Sequence, residues 1–517
     1  PMAIQSQQND RARTIGLWLG LGAFIFLILA PIDSTNEAAS KMAAVAVLMA
    51  IWWVTDSIPL FATALLPLVL FPLLGIMDGA AIAPIYFNSI IVLFIGGFMI
   101  ALTMEKWNLH RRIALNIIHV VGSSPSRIIL GFMIASAFLS MWISNTATAV
   151  MMVPIGLAII LQIENDFGAE KTHSFSVGLM LGIAYAASVG GLMTLLGTPP
   201  NLSLVRIVEI LFPDAPSIAF GQWIVLGVPI GVIMIGVIWV LITQVFYRTP
   251  QDLKVDRVVV DRERSQLGEM SFEEKVVLAV FTMFAILLVL RVDLNLGFAS
   301  IPGWSRLLPF PEMVDDGTVA ITMAAILFLI PTRDRTKGHK RIMGPDVIPR
   351  LPWNIVLLFG GGFALAAGLQ QTGLATMIGG QLQALGNLPT FAMIMLVCMM
   401  ITFLTELTSN TATTEMILPV LAAVAVVTGT HPLLLMIPAT ISASCAFMMP
   451  VATPPNAIVF GSERISVEEM VRIGIFLNLI GVLVITAIVL LVGTTVFGID
   501  PSIVPDWANS MAAGPDG

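Results

Sequence analysis

The chain has 517 residues, of which 57% are hydrophobic and 11% are charged, and its net charge is −7. Soluble domains carry roughly 25% charged residues, so a chain this apolar cannot present a solvated surface and must have lipid as its solvent. Because no long basic run or aromatic–basic stripe is present, the composition also argues against a nucleic-acid partner.

A membrane helix needs about 20 apolar residues, so this length allows roughly a dozen spans. The first apolar run, Ile15 to Ala30, follows Arg11 and Arg13. It could be a signal peptide, but it is long and lacks a small-residue cleavage site, so a retained first helix is the prediction. In chain order the runs fall at about 14–31, 41–54, 57–75, 88–106, 128–163, 174–196, 202–212, 220–246, 272–291, 317–331, 352–372, 388–427, 432–452 and 471–498.

Lysine and arginine predict which side of the membrane each loop occupies. The two most polar segments, 248–275 and 332–350, each carry six basic residues. We therefore expect both segments and the N-terminus to be cytoplasmic. The tail after Ile499 holds aspartates and no basic residue, so we expect it to lie outside. Termini on opposite sides require an odd number of full crossings.

The strongest signal is an internal repeat. Three features recur at one offset of 265 residues: Gly96–Phe98 as Gly361–Phe363, Ser144–Thr148 as Ser409–Thr413, and Met151 with Pro154 as Met416 with Pro419. The sequence Gly-Thr-Pro-Pro-Asn at 197–201 recurs as Ala-Thr-Pro-Pro-Asn at 452–456, at an offset of 255. So many chance matches at one offset are implausible.

The charges around the two copies differ. Arg111, Arg112 and Arg127 precede the first Ser-Asn-Thr motif, whereas no lysine or arginine lies between Arg350 and Arg464 around the second. By the rule for basic residues, the first copy opens to the cytoplasm and the second to the outside. This predicts an inverted-topology repeat, with the substrate site near the bilayer midplane where the copies meet.

The first Ser-Asn-Thr motif lies in the middle of a segment with no charged residue, between Arg127 and Glu164. A helix from Ile128 to Trp142 would be about 22 Å long, shorter than the ~30 Å hydrocarbon core. The segment therefore predicts a re-entrant hairpin that turns at the motif, inside protein or a water-filled cavity. The alternative is one kinked helix whose hydroxyls bond their own carbonyls. The duplication favours the hairpin.

Each Thr-Pro-Pro-Asn motif predicts a break in a membrane helix. Two prolines cannot continue a helix, whereas threonine is a good N-cap and proline a good first helical residue. We expect Thr198 and Thr453 to cap the restarted helices. Their N-termini would suit an anion, and the carbonyls before each break would suit sodium. The alternative is a structural proline kink.

The predicted site thus holds two copies of serine, asparagine and threonine, and no lysine or arginine. Neutral donors leave a buried dianion undercompensated, so bound cations are the simplest remedy. Two neutral tips fit a dianion with a carboxylate at each end, whereas a third carboxylate would need its own partner. Glu406, Glu415 and Asp56 lie at membrane depth and are functional candidates by default. For Glu406 a structural role, capping a hairpin helix, is expected over proton coupling.

On these paired motifs the chain resembles the divalent anion:sodium symporter family, which includes sodium-coupled dicarboxylate and citrate carriers, over nearly its whole length. The resemblance implies an all-α polytopic membrane protein of about 11 transmembrane helices, with two re-entrant hairpins and two broken helices. It also implies a homodimer in which a transport domain slides like an elevator against a scaffold domain. The expected activity is sodium-coupled import of C4-dicarboxylates such as succinate, malate or fumarate across the plasma membrane.

The resemblance also implies a division of the chain and a set of site residues. The expected parts are a cytoplasmic N-terminus (1–13), scaffold and arm (14–122), a first transport part (123–247), a cytoplasmic linker (248–271), scaffold and arm (272–387), a second transport part (388–498) and an external tail (499–517). One sodium site is expected at Ser140, Ser144, Asn145 and Gly197, and a second at Thr405, Thr408, Asn410 and Ala452. Substrate carboxylates are expected at Asn145, Thr146, Thr198, Pro199, Asn410, Thr411, Thr453 and Pro454.

Three alternatives stay open. Some members of the family exchange substrates without sodium, although polar Ser140, Thr405 and Thr408 favour sodium coupling here. A citrate or sulfate carrier of the same family is the next alternative. An intramembrane enzyme or an anion channel would be a different class of protein. An enzyme is not expected, because none of the five histidines lies near the motifs.

Overall fold

A computed structural model describes residues 2–122, 124–248, 258–295, 299–333, 340–383, 386, 388–501 and 503–511. The predicted linker, the loop 332–350 and the tail are therefore described only in part. Over the described residues the regular structure is almost entirely helical. The exception is a short antiparallel sheet in which β1 (Leu294–Asn295) pairs with β2 (Ser300–Ile301).

The first half of the chain contains the helices of the first sequence repeat. Its α-helices are α1 (Met2–Leu29), α2 (Glu37–Thr55), α3 (Leu60–Thr63), α4 (Leu66–Leu74), α5 (Gly79–Ile82), α6 (Ser89–Lys106), α7 (Leu109–Val121), α8 (Pro125–Ser140), α9 (Asn145–Phe167), α10 (Ala169–Leu192), α11 (Pro199–Leu211) and α12 (Phe220–Val240). The 3₁₀-helix Ala83–Tyr86 precedes α6, and the π-helix Leu241–Phe246 continues α12.

The second half contains the helices of the second repeat. Its α-helices are α13 (Val258–Gln266), α14 (Phe272–Val289), α15 (Asp316–Leu329), α16 (Trp353–Gln371), α17 (Leu374–Gln381), α18 (Thr390–Thr405), α19 (Asn410–Val427), α20 (Leu433–Ala443), α21 (Pro454–Phe460), α22 (Val467–Ile488) and α23 (Thr494–Val496). The shorter elements are the π-helix Val489–Gly493 and the 3₁₀-helices Trp304–Leu307, Pro311–Met313, Pro345–Arg350 and Asp506–Met511.

Long apolar helices dominate the molecule. Nine helices of the described residues are long and apolar enough to cross a membrane, and five shorter apolar helices accompany them. The prediction of an all-α polytopic membrane protein is therefore confirmed. The figure of about 11 crossings stays a prediction, because length and composition do not decide which of the shorter helices cross.

Both Ser-Asn-Thr motifs lie where one helix ends and another begins. The helix α8 ends at Ser140 and α9 starts at Asn145, and likewise α18 ends at Thr405 and α19 starts at Asn410. In each pair the two helices pack against each other, which favours a hairpin over one kinked helix. The first hairpin has unequal arms, because α8 has 16 residues and α9 has 23. At about 35 Å, α9 alone is long enough to reach across the hydrocarbon core.

The sequence repeat is also a repeat of elements. The helices α8 and α18 begin and end at the same offset of 265 residues, and α9 and α19 begin at that offset. The restarted helices α11 and α21 begin at the offset of 255. The two halves thus share one order of hairpin, helix, break and short helix. Their opposite orientation in the membrane stays a prediction.

Glycine allows the repeated helices α6 and α16 to pack closely against their neighbours. A Cβ on Gly96 of α6 would collide with the backbone at Ala320 of α15. A Cβ on Gly361 of α16, the equivalent position, would collide with the backbone at Ala64, between α3 and α4. The recurring glycines therefore mark two tight helix contacts at corresponding places in the repeat.

Candidate functional site

The first hairpin tip is organised by a serine–asparagine pair. The hydroxyl of Ser140, the last residue of α8, donates to the side-chain oxygen of Asn145, the first residue of α9. Ser140 is fully buried. Gly191 of α10 lies directly against the Asn145 amide, because a Cβ at that glycine would overlap it. Ser144 caps α9 by accepting the Ala147 N–H at 3.1 Å.

The first helix break, between Leu192 and Pro199, is fastened to this tip. The Thr194 hydroxyl donates to the Met141 carbonyl at 2.5 Å and accepts the Gly197 N–H at 3.1 Å. The Asn201 amide donates to the carbonyls of Gly191 and Thr194, at 3.3 and 2.7 Å. The break therefore has a fixed shape although it is not helical.

Carbonyl oxygens converge beside Gly197. A Cβ at this glycine would meet the carbonyl oxygens of Gly191 and Ser140. The Ser140–Asn145 pair adds a side-chain oxygen to the same region. Unwound carbonyls and helix ends at a break are the groups that hold sodium in membrane transporters with broken helices. Three of the four residues expected at the first sodium site, Ser140, Asn145 and Gly197, are thus brought together.

The second hairpin tip repeats the first with a threonine in place of the serine. The Thr405 hydroxyl lies 2.7 Å from the Asn410 side-chain oxygen and 3.0 Å from the Ala443 carbonyl, at the end of α20. The Thr408 hydroxyl instead donates to the Leu404 carbonyl at 2.9 Å and contacts the Thr413 hydroxyl at 2.6 Å. The structure therefore links Thr405 with Asn410, whereas the Thr408 side chain is occupied by its own hairpin.

The second break, between Ala443 and Pro454, is fastened in a related way. The Asn456 amide donates to the carbonyls of Ala446 and Met449, at 3.1 and 3.0 Å. Ala452, the counterpart of Gly197, lies in this break and is largely buried. Thr453 caps α21 by accepting the Asn456 N–H at 3.3 Å.

The prediction for the two threonine caps is half right. Thr453 makes the expected cap, whereas Thr198 occupies the N-cap position of α11 without a side-chain cap bond. At Thr198 the Asn201 N–H bonds the threonine carbonyl instead, at 3.2 Å. The Thr198 hydroxyl is therefore left available for another partner.

The expected substrate residues surround the starts of four helices. The side chains of Thr146 and Thr411, in the first turns of α9 and α19, make no hydrogen bond within the described part of the chain. Thr146 and Pro454 are exposed and Pro199 is half-buried, whereas Thr198, Thr411 and Thr453 are largely buried. Hydroxyls without a protein partner at helix N-termini are suited to receive an anion.

Glu406 follows Thr405 at the end of α18, and its carboxylate bonds the second break. Its carboxylate accepts the N–H groups of Phe447, Met448 and Met449, at 2.8 to 3.0 Å, and the Asn478 amide at 2.8 Å. These contacts agree with the expected structural role, but the carboxylate bonds the unwound segment and not the end of a hairpin helix. The carboxylate fastens the second break, because three N–H groups of the unwound segment would otherwise lack partners.

Sequence reasoning missed two asparagines, one in each copy of the repeat, whose side chains bond the carbonyls of the helix breaks. Asn201 and Asn456 are fully buried, each donates to two carbonyls, and each keeps a side-chain oxygen with no hydrogen-bond partner among the described residues. Their position was visible in the repeat, because both are the fifth residue of a motif that recurs. The recurring motif contains both asparagines, but its threonines and prolines alone predicted a structural role.

Comparisons with known proteins agree with this architecture. Residues 12–499 match the family described as the sodium:sulfate symporter transmembrane region. The sodium-dependent dicarboxylate transporter SdcS of Staphylococcus saprophyticus is 40% identical over 511 residues, which cover 96% of each chain. SdcS of Staphylococcus aureus is 41% identical over 495 residues, or 94% of this chain and 92% of that one.

Two solved structures share the fold at low sequence identity. The YdaH transporter of Alcanivorax borkumensis has a TM-score of 0.54 at 14% identity, covering 89% of this chain and 99% of its own. MtrF of Neisseria gonorrhoeae, from a class of antimetabolite efflux pumps, has a TM-score of 0.56 at 12% identity, covering 90% and 96%. These likenesses show the fold alone.

Proposed function

Because the chain belongs to the sodium:sulfate symporter family, we propose that it is a sodium-coupled symporter that imports C4-dicarboxylates such as succinate, malate or fumarate. The relatives are transporters, so the chain is a multi-pass transporter of the plasma membrane and not an enzyme, and the predicted family is confirmed. The observation that carries the proposal is the duplicated pair, Ser140 with Asn145 and Thr405 with Asn410, each beside a helix break.

Sodium would bind once in each copy of the repeat. In the first copy Ser140, Ser144, Asn145 and Gly197 would hold it, with the carbonyls that converge at the break. In the second copy Thr405, Thr408, Asn410 and Ala452 would hold it. The relatives named sodium-dependent dicarboxylate transporters support the choice of ion. The Thr408 hydroxyl would have to leave its partners within the hairpin, the Leu404 carbonyl and the Thr413 hydroxyl, to bind the ion.

The dicarboxylate would lie between the two hairpin tips. Asn145 and Thr146 would bind one carboxylate with Thr198 and Pro199, and Asn410 and Thr411 would bind the other with Thr453 and Pro454. The unbonded hydroxyls of Thr146 and Thr411 and the N-termini of α9, α11 and α19 supply donors for both ends. Neutral donors bind a dianion without trapping it, and sodium supplies the compensating charge.

Thr411→Val is expected to weaken succinate binding by about 5- to 150-fold. The substitution keeps the shape of the side chain and removes a donor, so one carboxylate is left underbonded at a cost of roughly 1–3 kcal/mol. The measurement is competition of unlabelled succinate, citrate and sulfate against labelled succinate. The matched control is Thr440→Val on α20, where the hydroxyl bonds its own helix at the Met436 carbonyl.

Two outcomes would contradict this assignment. One is an unchanged succinate affinity in Thr411→Val. The other is better competition by citrate or sulfate than by succinate where each is fully ionised, which would favour a citrate or sulfate carrier of the same family.

We also propose the orientation, motion and assembly that the sequence predicted. The basic residues of the linker and of the 332–350 loop support a cytoplasmic N-terminus and an external C-terminus. A cysteine at exposed Ser265 should then react with membrane-impermeant reagents from the cytoplasmic side alone.

The glycine contacts at Gly96 and Gly361 would join the arm helices to the scaffold of a homodimer. A cross-link between a hairpin and the scaffold should therefore stop transport.

A further inference from the structure

A buried carboxyl group lies one helical turn behind the proposed substrate site. Glu415 is on α19, four residues after Thr411, and is fully buried. Its Oε1 accepts the hydroxyl of Ser203, which is on α11, four residues after Pro199. A Cβ on Gly362 of α16 would overlap the same carboxyl group. Glu415 therefore lies where α11, α16 and α19 meet, one helical turn from Thr411 and bonded to the residue one turn from Pro199.

No counter-charge accompanies this carboxyl group among the described residues. Its Oε2 has no hydrogen-bond partner there. The helices α16, α17 and α20, which pack against α19, contain no titratable or charged side chain. Four further elements of the described part of the chain pack against α19, and they hold these titratable groups. On α2 Glu37 is paired with Lys41, and on α11 Arg206 is paired with Glu209. The helix α18 contains Cys398, and the 3₁₀-helix Asp506–Met511 contains Asp506. Burying an ionised carboxylate without a counter-charge costs far more than burying the neutral acid.

Ser203 connects the charge of Glu415 to the start of α11. Its hydroxyl lies near Glu415 and also 3.4 Å from the carbonyl of Pro199, but it has one proton to donate. When Glu415 is ionised, Ser203 donates to the carboxylate. When Glu415 holds a proton, the acid can donate to Ser203, and the hydroxyl is free to donate to Pro199. The two states differ in charge and in a hydrogen bond to a proposed substrate residue.

We propose that Glu415 is a proton-binding site coupled to the dicarboxylate site. This inference rests on the proposed function and adds regulation by pH to it. An ionised Glu415 repels a dianion one turn away, so the protonated state binds the dianion more tightly. Coupling is reciprocal, so binding of the dianion draws a proton onto Glu415. The equivalent position in the first copy is Val150, so the coupling belongs to the second copy alone.

The test is proton uptake when fumarate binds to the purified protein in sodium buffer. Fumarate keeps both carboxyl groups ionised between about pH 6 and pH 8.5. We expect the wild type to take up protons on binding, in lightly buffered solution with a pH-sensitive dye. We also expect its fumarate Kd to rise about fivefold or more across that range, the lower end of coupling between linked ligands. Glu415→Gln should bind fumarate with no proton uptake and a flat Kd.

The control is Glu209→Gln, which neutralises a carboxyl group of a partly buried ion pair on α11 and should behave as the wild type. Ser203→Ala provides a second variant, because it keeps Glu415 and removes its hydrogen-bond partner. It should move the pH midpoint of proton uptake. Wild-type protein that binds fumarate without proton uptake, or Glu415→Gln that takes up as many protons as the wild type, would overturn the inference. Absence of sodium-dependent fumarate binding in the wild type would contradict the proposed function instead.

Discussion

Asn145→Ala and Asn410→Ala are each expected to reduce sodium-stimulated succinate uptake by about 5- to 150-fold. Each asparagine is the first residue of the returning hairpin helix, and its side-chain oxygen is held by Ser140 or Thr405. Alanine removes that oxygen, so the buried Ser140 hydroxyl loses its asparagine partner and the Thr405 hydroxyl is left with the Ala443 carbonyl. Losing one such polar interaction costs roughly 1–3 kcal/mol, and 1.4 kcal/mol is a factor of ten.

The readout is the sodium concentration that gives half-maximal uptake. Both variants should elute from size exclusion as the wild type does, since the loss is local. The matched control is Asn116→Ala, an exposed asparagine on α7 outside the hairpin tips. If either variant keeps the wild-type sodium dependence, its asparagine is not a sodium ligand.

Gly197→Ala should abolish most of the uptake, with a loss of about 5- to 150-fold. The added methyl group would enter the space between the carbonyl oxygens of Gly191 and Ser140. These are backbone atoms that cannot rotate away, so the break must shift, at a cost of roughly 1–3 kcal/mol. The same methyl group occupies the place where the proposed sodium ion would bind.

The repeat supplies the control for this substitution. Ala452 stands at the equivalent position in the second break, which therefore already accommodates a Cβ. Ala452→Gly should keep most of the uptake. Wild-type uptake by Gly197→Ala, measured at limiting sodium, would show that the converging carbonyls do not form a cation site.

The starts of four helices were predictable from the residues at those positions. Prolines that cannot continue a helix and polar motifs inside apolar runs fixed the starts of α9, α11, α19 and α21. The end of α9 was less predictable, because the helix continues to Phe167, past the apolar run that ends at 163 and through the charged residues Glu164 and Asp166.

Contacts between distant segments of the chain could not be predicted from the sequence. Thr194 fastens the first break with a hydroxyl, whereas Glu406 fastens the second with a carboxylate. At the repeat offsets Thr194 aligns with Met449 and Glu406 with Met141. Comparison of the two copies therefore does not show that Thr194 and Glu406 both bond the backbone of a helix break. The Ser203–Glu415 bond joins the two copies and likewise depends on the packing of α11 against α19.

The most direct test of the account is uptake of labelled succinate into proteoliposomes that contain the wild-type protein. With an inwardly directed sodium gradient, succinate should accumulate above its external concentration. With choline in place of sodium, uptake should fall to the level of protein-free vesicles. Equal uptake in choline, or uptake that requires unlabelled dicarboxylate inside the vesicles, would contradict sodium-coupled symport and identify the protein as an exchanger.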